Sequence, residues 1–250
     1  MESPKDKFSS QSSTYKKFRP TYPDELYDAI LKTVKSRNEC WDCGTGNGQV
    51  AVELSKHFKK VYAADLSKKQ IDNAEKRENI FYSVGTAEKT EFEDNKFDLI
   101  TLAQAAHWFN MEAFNTEMRR ISKNGGIVCV WGYGLLRIND PINKLIDKFY
   151  NDIIGPYWDP ERRHIENEYN SLNFDFNELD TPKDLFIKIR WTLREFEGYL
   201  NSWSSVQNYK ELKKENPVTW MMDNLKKLWG ENVQKEVRFP IFMKMGVVSK

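Results

Sequence analysis

The 250-residue chain carries 38 Lys+Arg against 37 Asp+Glu, so its charge asks for neither nucleic acid nor an anionic membrane as partner. No apolar run approaches the roughly 18 residues of a membrane span, and the polar opening Met1-Glu2-Ser3-Pro4-Lys5 does not read as a signal peptide. Three cysteines, an odd number, argue against a disulfide framework and for a reducing, cytoplasmic setting, while three scattered histidines offer no metal spacing.

In chain order, Tyr15-Lys16-Lys17-Phe18-Arg19-Pro20-Thr21-Tyr22-Pro23 is aromatic and basic, and its two prolines forbid a helix through it. Pro23-Asp24-Glu25-Leu26 then opens a helix running to about Lys35, closing an N-terminal unit over 1–35. From 36 to 134 strands and helices alternate. Strand one ends at Cys40-Trp41 and a helix follows from Gly48 to about Phe58. Strand two covers Lys60–Asp65, with a helix from Lys68 to about Arg77. Strand three is Ile80–Val84 and strand four Phe97–Leu102, followed by a helix from Met111 to about Ser122. Strand five is Ile127–Trp131. Near-continuous apolar strands between helices predict a doubly wound, mostly parallel α/β sheet covered on both faces.

Beyond Trp131 the alternation stops, and residues 132 to about 184 read as aromatic and irregular. Phe186–Trp191 alternates as a strand, Thr192 caps a helix over Leu193 to about Asn201, and an amphipathic helix covers about Thr219 to Trp229. Residues 135–234 are therefore read as a helical, aromatic lid, and 235–250 as a last strand returning to the sheet. Pro240 within that strand belongs at an edge or bulge.

The most informative stretch is Trp41-Asp42-Cys43-Gly44-Thr45-Gly46-Asn47-Gly48. A strand, a glycine turn and a helix start make the nucleotide site of doubly wound folds, and glycine lets backbone approach a ligand. Asp65, 65 − 48 = 17 residues past Gly48, sits near the spacing of roughly 20 expected for a carboxylate that binds ribose hydroxyls. A dinucleotide fingerprint needs a small residue at position 49, where Gln49 stands. Asp42 is also misplaced for a loop that holds pyrophosphate, and suits a ligand with an amino group or sulfonium. Cys40-x-x-Cys43 lies within this stretch and reads as packing, not as a redox pair.

Ligands of such sheets lie beyond the strand C-termini. Leu66 follows Asp65, and Gly85-Thr86-Ala87-Glu88 after strand three can set a backbone N–H and a small side chain beside an adenine. After strand four, Gln104-Ala105-Ala106-His107-Trp108-Phe109 leaves space at the alanines and brings His107 and Trp108 to the cleft.

Asp42-x-Gly44-x-Gly46-x-Gly48 resembles the first motif of class I methyltransferases that use S-adenosyl-L-methionine. The opening Arg19-Pro20-Thr21-Tyr22-Pro23, the Gln104–Phe109 segment and Arg190–Ser204 resemble the trans-aconitate methyltransferase-like branch, which carries a type 11 methyltransferase domain. The resemblance implies a seven-stranded Rossmann-like sheet and methyl transfer to small molecules, including carboxylates. It also implies that Tyr15 and Arg19 close over the cofactor, with Arg19 on its carboxylate. The expected cofactor contacts are Tyr15, Arg19, Asp42, Gly44, Gly46, Asp65, Leu66, Ala87, Glu88, Gln104 and Ala105. His107 is the candidate catalytic residue: a base for a hydroxyl or amine acceptor, a contact only for an ionised carboxylate. Trp108, Tyr133, Trp158 and Arg162 are the candidate acceptor contacts. No Asn-Pro-Pro-Tyr occurs after strand four, which disfavours amino-methylation of bases or proteins. A silent cofactor-binding fold and a dinucleotide oxidoreductase are the competing readings, and the chain is expected to be a monomer or weak dimer.

Overall fold

The computed structural model describes residues 20–250, so Tyr15 and Arg19 lie outside the described residues. The parallel half of the sheet comprises β1 (Glu39–Cys43), β2 (Lys60–Asp65), β3 (Ile80–Val84), β4 (Phe97–Ala103) and β5 (Ser122–Tyr133). Antiparallel strands complete it: β6 (Asn177–Leu179), β7 (Phe186–Trp191) and β8 (Lys235–Val247). Seven strands run in the order β3-β2-β1-β4-β5-β8-β6, and β7 pairs with the leading half of β8. The expected mostly parallel α/β sheet is present; the three-residue β6 was not foreseen.

Strand alternation divides the core. Cys40, Leu99, Ile127 and Cys129 face one cluster, with α1 (Asp24–Thr33), α2 (Gln49–Leu54) and the lid helices. Their chain neighbours Trp41, Ile100, Val128 and Val130 face the other, with α4 (Met111–Ile121). A period of two thus buries both faces of one strand against different helices. Beneath the sheet, the buried Asp98 carboxylate accepts the N–H groups of Asn38 and Glu39 at 2.9 and 3.0 Å and meets Lys123 Nζ at 2.6 Å. One carboxylate therefore ties the starts of β1, β4 and β5 together.

Helices stop where side chains satisfy their ends. The helix α3 (Lys68–Asp72) is capped by Ser67, and Lys76 Nζ donates to the Ile71 carbonyl, so the helix expected to reach Arg77 is five residues long. The helix expected to reach Phe58 likewise ends at Leu54, and turn-type bonds carry the chain on to Phe58. Asn110 caps α4 by accepting from Glu112 and Ala113. The reading of 132–184 as irregular is corrected. Asn139 caps α5 (Asp140–Lys148), which buries Ile142 and Ile146 one turn apart, and α6 (Arg162–Glu166) follows. Here Asn139 and Pro141 were the local signal.

Between β7 and β8 lie α7 (Leu193–Asn201), α8 (Ser204–Lys213) and α9 (Val218–Trp229). Thr192 and Glu195 form a reciprocal capping box at the start of α7. Pro240 stands where β8 changes partners: it faces Phe186 of β7, while the next residue, Ile241, faces Tyr133 of β5. The lid is therefore two insertions, one before β6 and one before β8. Among the described residues no helix is long and apolar enough to cross a membrane.

Candidate active site

The strand order reverses between β1 and β4, and a cleft opens beyond their C-terminal ends, as the geometry of open α/β sheets requires.

One wall is mostly backbone. Gly44, Gly46 and Gly48 all take positive φ (64°, 56° and 84°), a region that favours glycine. A Cβ on Gly44 would lie 2.9 Å from the Ala105 Cβ, so the loops after β1 and β4 touch only because residue 44 has no side chain. A Cβ on Gly46 would meet nothing and would project into free space. The Gly46 N–H donates to Asp65 Oδ2 and the Ser67 N–H to Asp65 Oδ1, each at 2.8 Å. The carboxylate at the tip of β2 is thus held by two backbone donors on the rim of the cleft.

Asp42 is placed differently from the expectation. It is 1% exposed and does not line the cleft. Parallel register sets it level with Thr101 of β4, whose hydroxyl donates to Oδ1 at 2.8 Å, and the Thr45 hydroxyl donates to Oδ2. Burial pushes its carboxyl up to about 7; the two hydroxyl bonds act against that rise and the nearby Asp65 adds to it. Asp42 braces the glycine loop from beneath. Leu66 is exposed, Ala87 is buried in the second core cluster, and Glu88 accepts from the Asn110 N–H at 3.2 Å; none of the three lines the cleft. Cys40 and Cys43 are buried free thiols, pushed up chiefly by burial, and Cys43 bonds to the Thr101 carbonyl.

The other wall comes from the end of β4 and from the lid. Gln104 sits at φ 53°, and its side-chain oxygen accepts from the Tyr133 N–H at 2.8 Å, locking the ends of β4 and β5 together. Gln104, Ala105, His107, Trp108 and Tyr133 all line the cleft. His107 Nδ1 lies 3.0 Å from the Tyr169 hydroxyl, and its ring is 4.8 Å from that of Trp108. Tyr169 is buried at φ 60° against Phe242.

From the first insertion, Trp158, Asp159, Arg162 and Ile165 face the cleft; from the second, Tyr199, Ser202, Trp203 and Ser204. Arg162 lies 4.7 Å above the Trp158 ring and 5.6 Å above that of Tyr150, and its Nε donates to the Tyr150 hydroxyl at 2.9 Å. Its terminal nitrogens have no acceptor among the described residues. The structure therefore gathers ten of the predicted residues at one cleft: Gly44, Gly46, Asp65, Gln104, Ala105, His107, Trp108, Tyr133, Trp158 and Arg162. Sequence reasoning missed Gln70, Asp159, Tyr199 and the serines. Ser202-Trp203-Ser204, the break between α7 and α8, was the available signal for part of that set.

Fold and site define a nucleotide-type cleft whose anchors are a glycine loop and a β2 carboxylate, without the pyrophosphate fingerprint. A family model described as a methyltransferase domain matches residues 41–130. A Dictyostelium discoideum protein named as a methyltransferase is 37% identical over 246 residues, covering 95% of this chain and 93% of that one. A solved structure from Anaeromyxobacter dehalogenans, titled a type II methyltransferase, superposes with a TM-score of 0.87 at 33% identity, covering 93% of this chain and 99% of that chain. A Haemonchus contortus phosphoethanolamine N-methyltransferase solved with S-adenosyl-L-methionine shares the fold, with a TM-score of 0.51 at 18% identity over 97% of this chain and 57% of that one. The chain belongs to the class I methyltransferases and is an S-adenosyl-L-methionine-dependent enzyme.

Proposed function

We propose that the enzyme methylates a carboxylate oxygen on a small acceptor, as a member of the trans-aconitate methyltransferase-like branch. The observation that carries this reading is Arg162. A guanidinium on the cleft wall, flanked by Trp158 and Tyr150 and with both terminal nitrogens unengaged by the described residues, fits a planar anion. When bound, S-adenosyl-L-methionine supplies a sulfonium methyl group, which an ionised carboxylate can take up without a general base.

The chain's own residues then bind, orient and exclude water. Gly44 and Gly46 admit the cofactor to the backbone, and the two N–H bonds aim the Asp65 carboxylate at ribose hydroxyls. Leu66, Ala87 and Glu88 follow β2 and β3 on the adenine side, with Tyr15 and Arg19 assigned to closing over the cofactor. Gln104 and Ala105 form the floor between cofactor and acceptor. Trp108, Tyr133 and Trp158 shape the acceptor space, and His107 serves as a contact, oriented through Tyr169. Holding acceptor and methyl in line supplies much of the acceleration. The buried free thiols fit a cytoplasmic location.

A turnover screen over small carboxylic acids, phenols and amines, read by mass spectrometry, tests the reading. Methyl esters are the expected products; activity confined to amines or phenols overturns it. With a carboxylate acceptor, Arg162→Ala raises KM roughly 30-fold or more with kcat largely kept, the cost of removing one partner of a close charge pair.

A further inference from the structure

We infer that Tyr150 is the positioning residue that aims Arg162, so that the acceptor carboxylate is met end-on by the two terminal nitrogens of the guanidinium. The inference rests on the carboxylate reading above and adds a residue that does not itself line the cleft.

Tyr150 lies in a short π-helical turn, Phe149–Ile153, that follows directly on α5. Such turns are rare and shift side chains out of the α-helical register. The Tyr150 hydroxyl, in a side chain 6% exposed, donates to Glu166 Oε1 at 2.6 Å and accepts from Arg162 Nε at 2.9 Å. The chain Arg162–Tyr150–Glu166 spans α6 from its first to its last residue. Because Glu166 takes the hydroxyl proton, the lone pairs of that oxygen are left for the guanidinium, which fixes the donor direction of both bonds. The Tyr150 ring is itself fixed by Trp158 at 5.1 Å and Trp203 at 5.9 Å, both of which line the cleft.

A guanidinium offers a carboxylate either its Nε edge or the edge formed by its two terminal nitrogens. Tyr150 occupies Nε, which removes the first edge. The guanidinium carbon also lies 4.7 Å from the Trp158 ring centroid and 5.6 Å from that of Tyr150, cation–π contacts that hold the group in place. What remains is one bidentate edge with a set direction. Glu166 bonds the tyrosine hydroxyl and not the guanidinium, so it steadies the arginine without occupying the terminal nitrogens as a direct ion pair would.

The test combines a ligand-free readout with an anion probe, benzoate, on the full-length protein saturated with S-adenosylhomocysteine. In NMR spectra of the arginine Nε–H groups, Arg162 (assigned by its loss in Arg162→Lys) is expected to show a slowly exchanging signal that Tyr150→Phe shifts and exposes. Calorimetry is expected to show benzoate binding weakened about 5- to 10-fold by Tyr150→Phe, the loss of one hydrogen bond to a charged group, with S-adenosylhomocysteine affinity changed less than about twofold. Glu166→Gln, which keeps an acceptor for the hydroxyl, should stay near wild type, whereas Glu166→Leu, which removes that acceptor, should weaken benzoate binding in the same direction as Tyr150→Phe; a packing role for Tyr150 predicts no loss from either Glu166 variant. If Tyr150→Phe binds benzoate like wild type while Arg162→Ala does not, the positioning role is wrong and the carboxylate reading survives. If Arg162→Ala also binds like wild type, or wild type fails to bind benzoate, the anion site itself falls and the inference with it.

Discussion

The two walls of the cleft are built on opposite plans. The wall after β1 and β2 is made of two short stretches, the glycine loop over 44–48 and the tip of β2 at Asp65, where backbone donors fix the carboxylate. The wall under the lid is made of side chains from four separate segments, 104–108, 133, 158–165 and 199–204, several of which meet ring against ring. The first plan is rigid and tolerates little change. The second sets specificity through separate side chains, several of which (Tyr133, Ile165, Tyr199, Trp203) also pack into the core.

The sharpest way to break this contrast is at Asp42, beneath the first wall. Burial raises its carboxyl from 3.8 to about 7, so between roughly pH 4 and 7 the folded chain holds a proton that the unfolded chain has released. Stability from this group is complete below pH 4 and is lost as pH rises through 7, a change of a few kcal/mol at most. Asp42→Asn is expected to remove that slope from the pH dependence of unfolding in urea. An identical slope in the variant would mean that Asp42 is hydrated and ionised in the folded loop.

Gly46→Val comes next. The added Cβ meets no protein atom, so the sheet is expected to fold, but the change forces a β-branched residue to φ 56° and projects it into the cleft. Calorimetry should show S-adenosyl-L-methionine affinity reduced on the order of 100-fold, with strain and lost backbone approach acting together. Asp65→Ala should cost about tenfold or more, the loss of charge-assisted hydrogen bonds to the ribose. It also leaves the Gly46 and Ser67 N–H groups without their acceptor, so Asp65→Asn, which keeps one oxygen, should recover part of the loss. Equal affinities for wild type and both Asp65 variants would separate this carboxylate from the cofactor.

The same contrast explains what could be read from the chain alone. Asp42, the glycines and Asp65 are legible because strand, turn and strand tip follow at fixed spacings that the parallel register enforces. What the spacing left open was the direction of Asp42. Its inward turn depends on Thr101, 59 residues away and brought level only by the β1–β4 pairing. Likewise, nothing near Tyr169 or Tyr150 in the chain says that one meets His107, 62 residues away, or that the other meets Arg162. The helix α5 was missed because its aromatic surroundings masked a two-residue apolar stripe, although Asn139 and Pro141 marked its start. Arg162 and Trp158 were found from their place after strand five, since an insertion there has to fold back over the strand ends.

The smallest effect, and the one that tests the lid wall most directly, is expected at His107. Its Nδ1 is engaged by Tyr169, which fixes the ring while leaving the imidazole on the cleft wall. Were it a general base, the rate would rise with a pKa near 6–7, and His107→Ala would abolish that limb along with most turnover. A carboxylate acceptor is already ionised through that range, so with a carboxylic acid substrate kcat/KM should stay flat from about pH 6 to 8. His107→Ala should then cost only a few-fold in kcat, the price of a lost neutral contact, and leave cofactor affinity unchanged. His107→Gln should recover part of that, because its amide can still reach toward Tyr169. A steep alkaline rise in wild type that vanishes in His107→Ala would instead make His107 a proton acceptor, and would move the acceptor from carboxylic acids to phenols or amines.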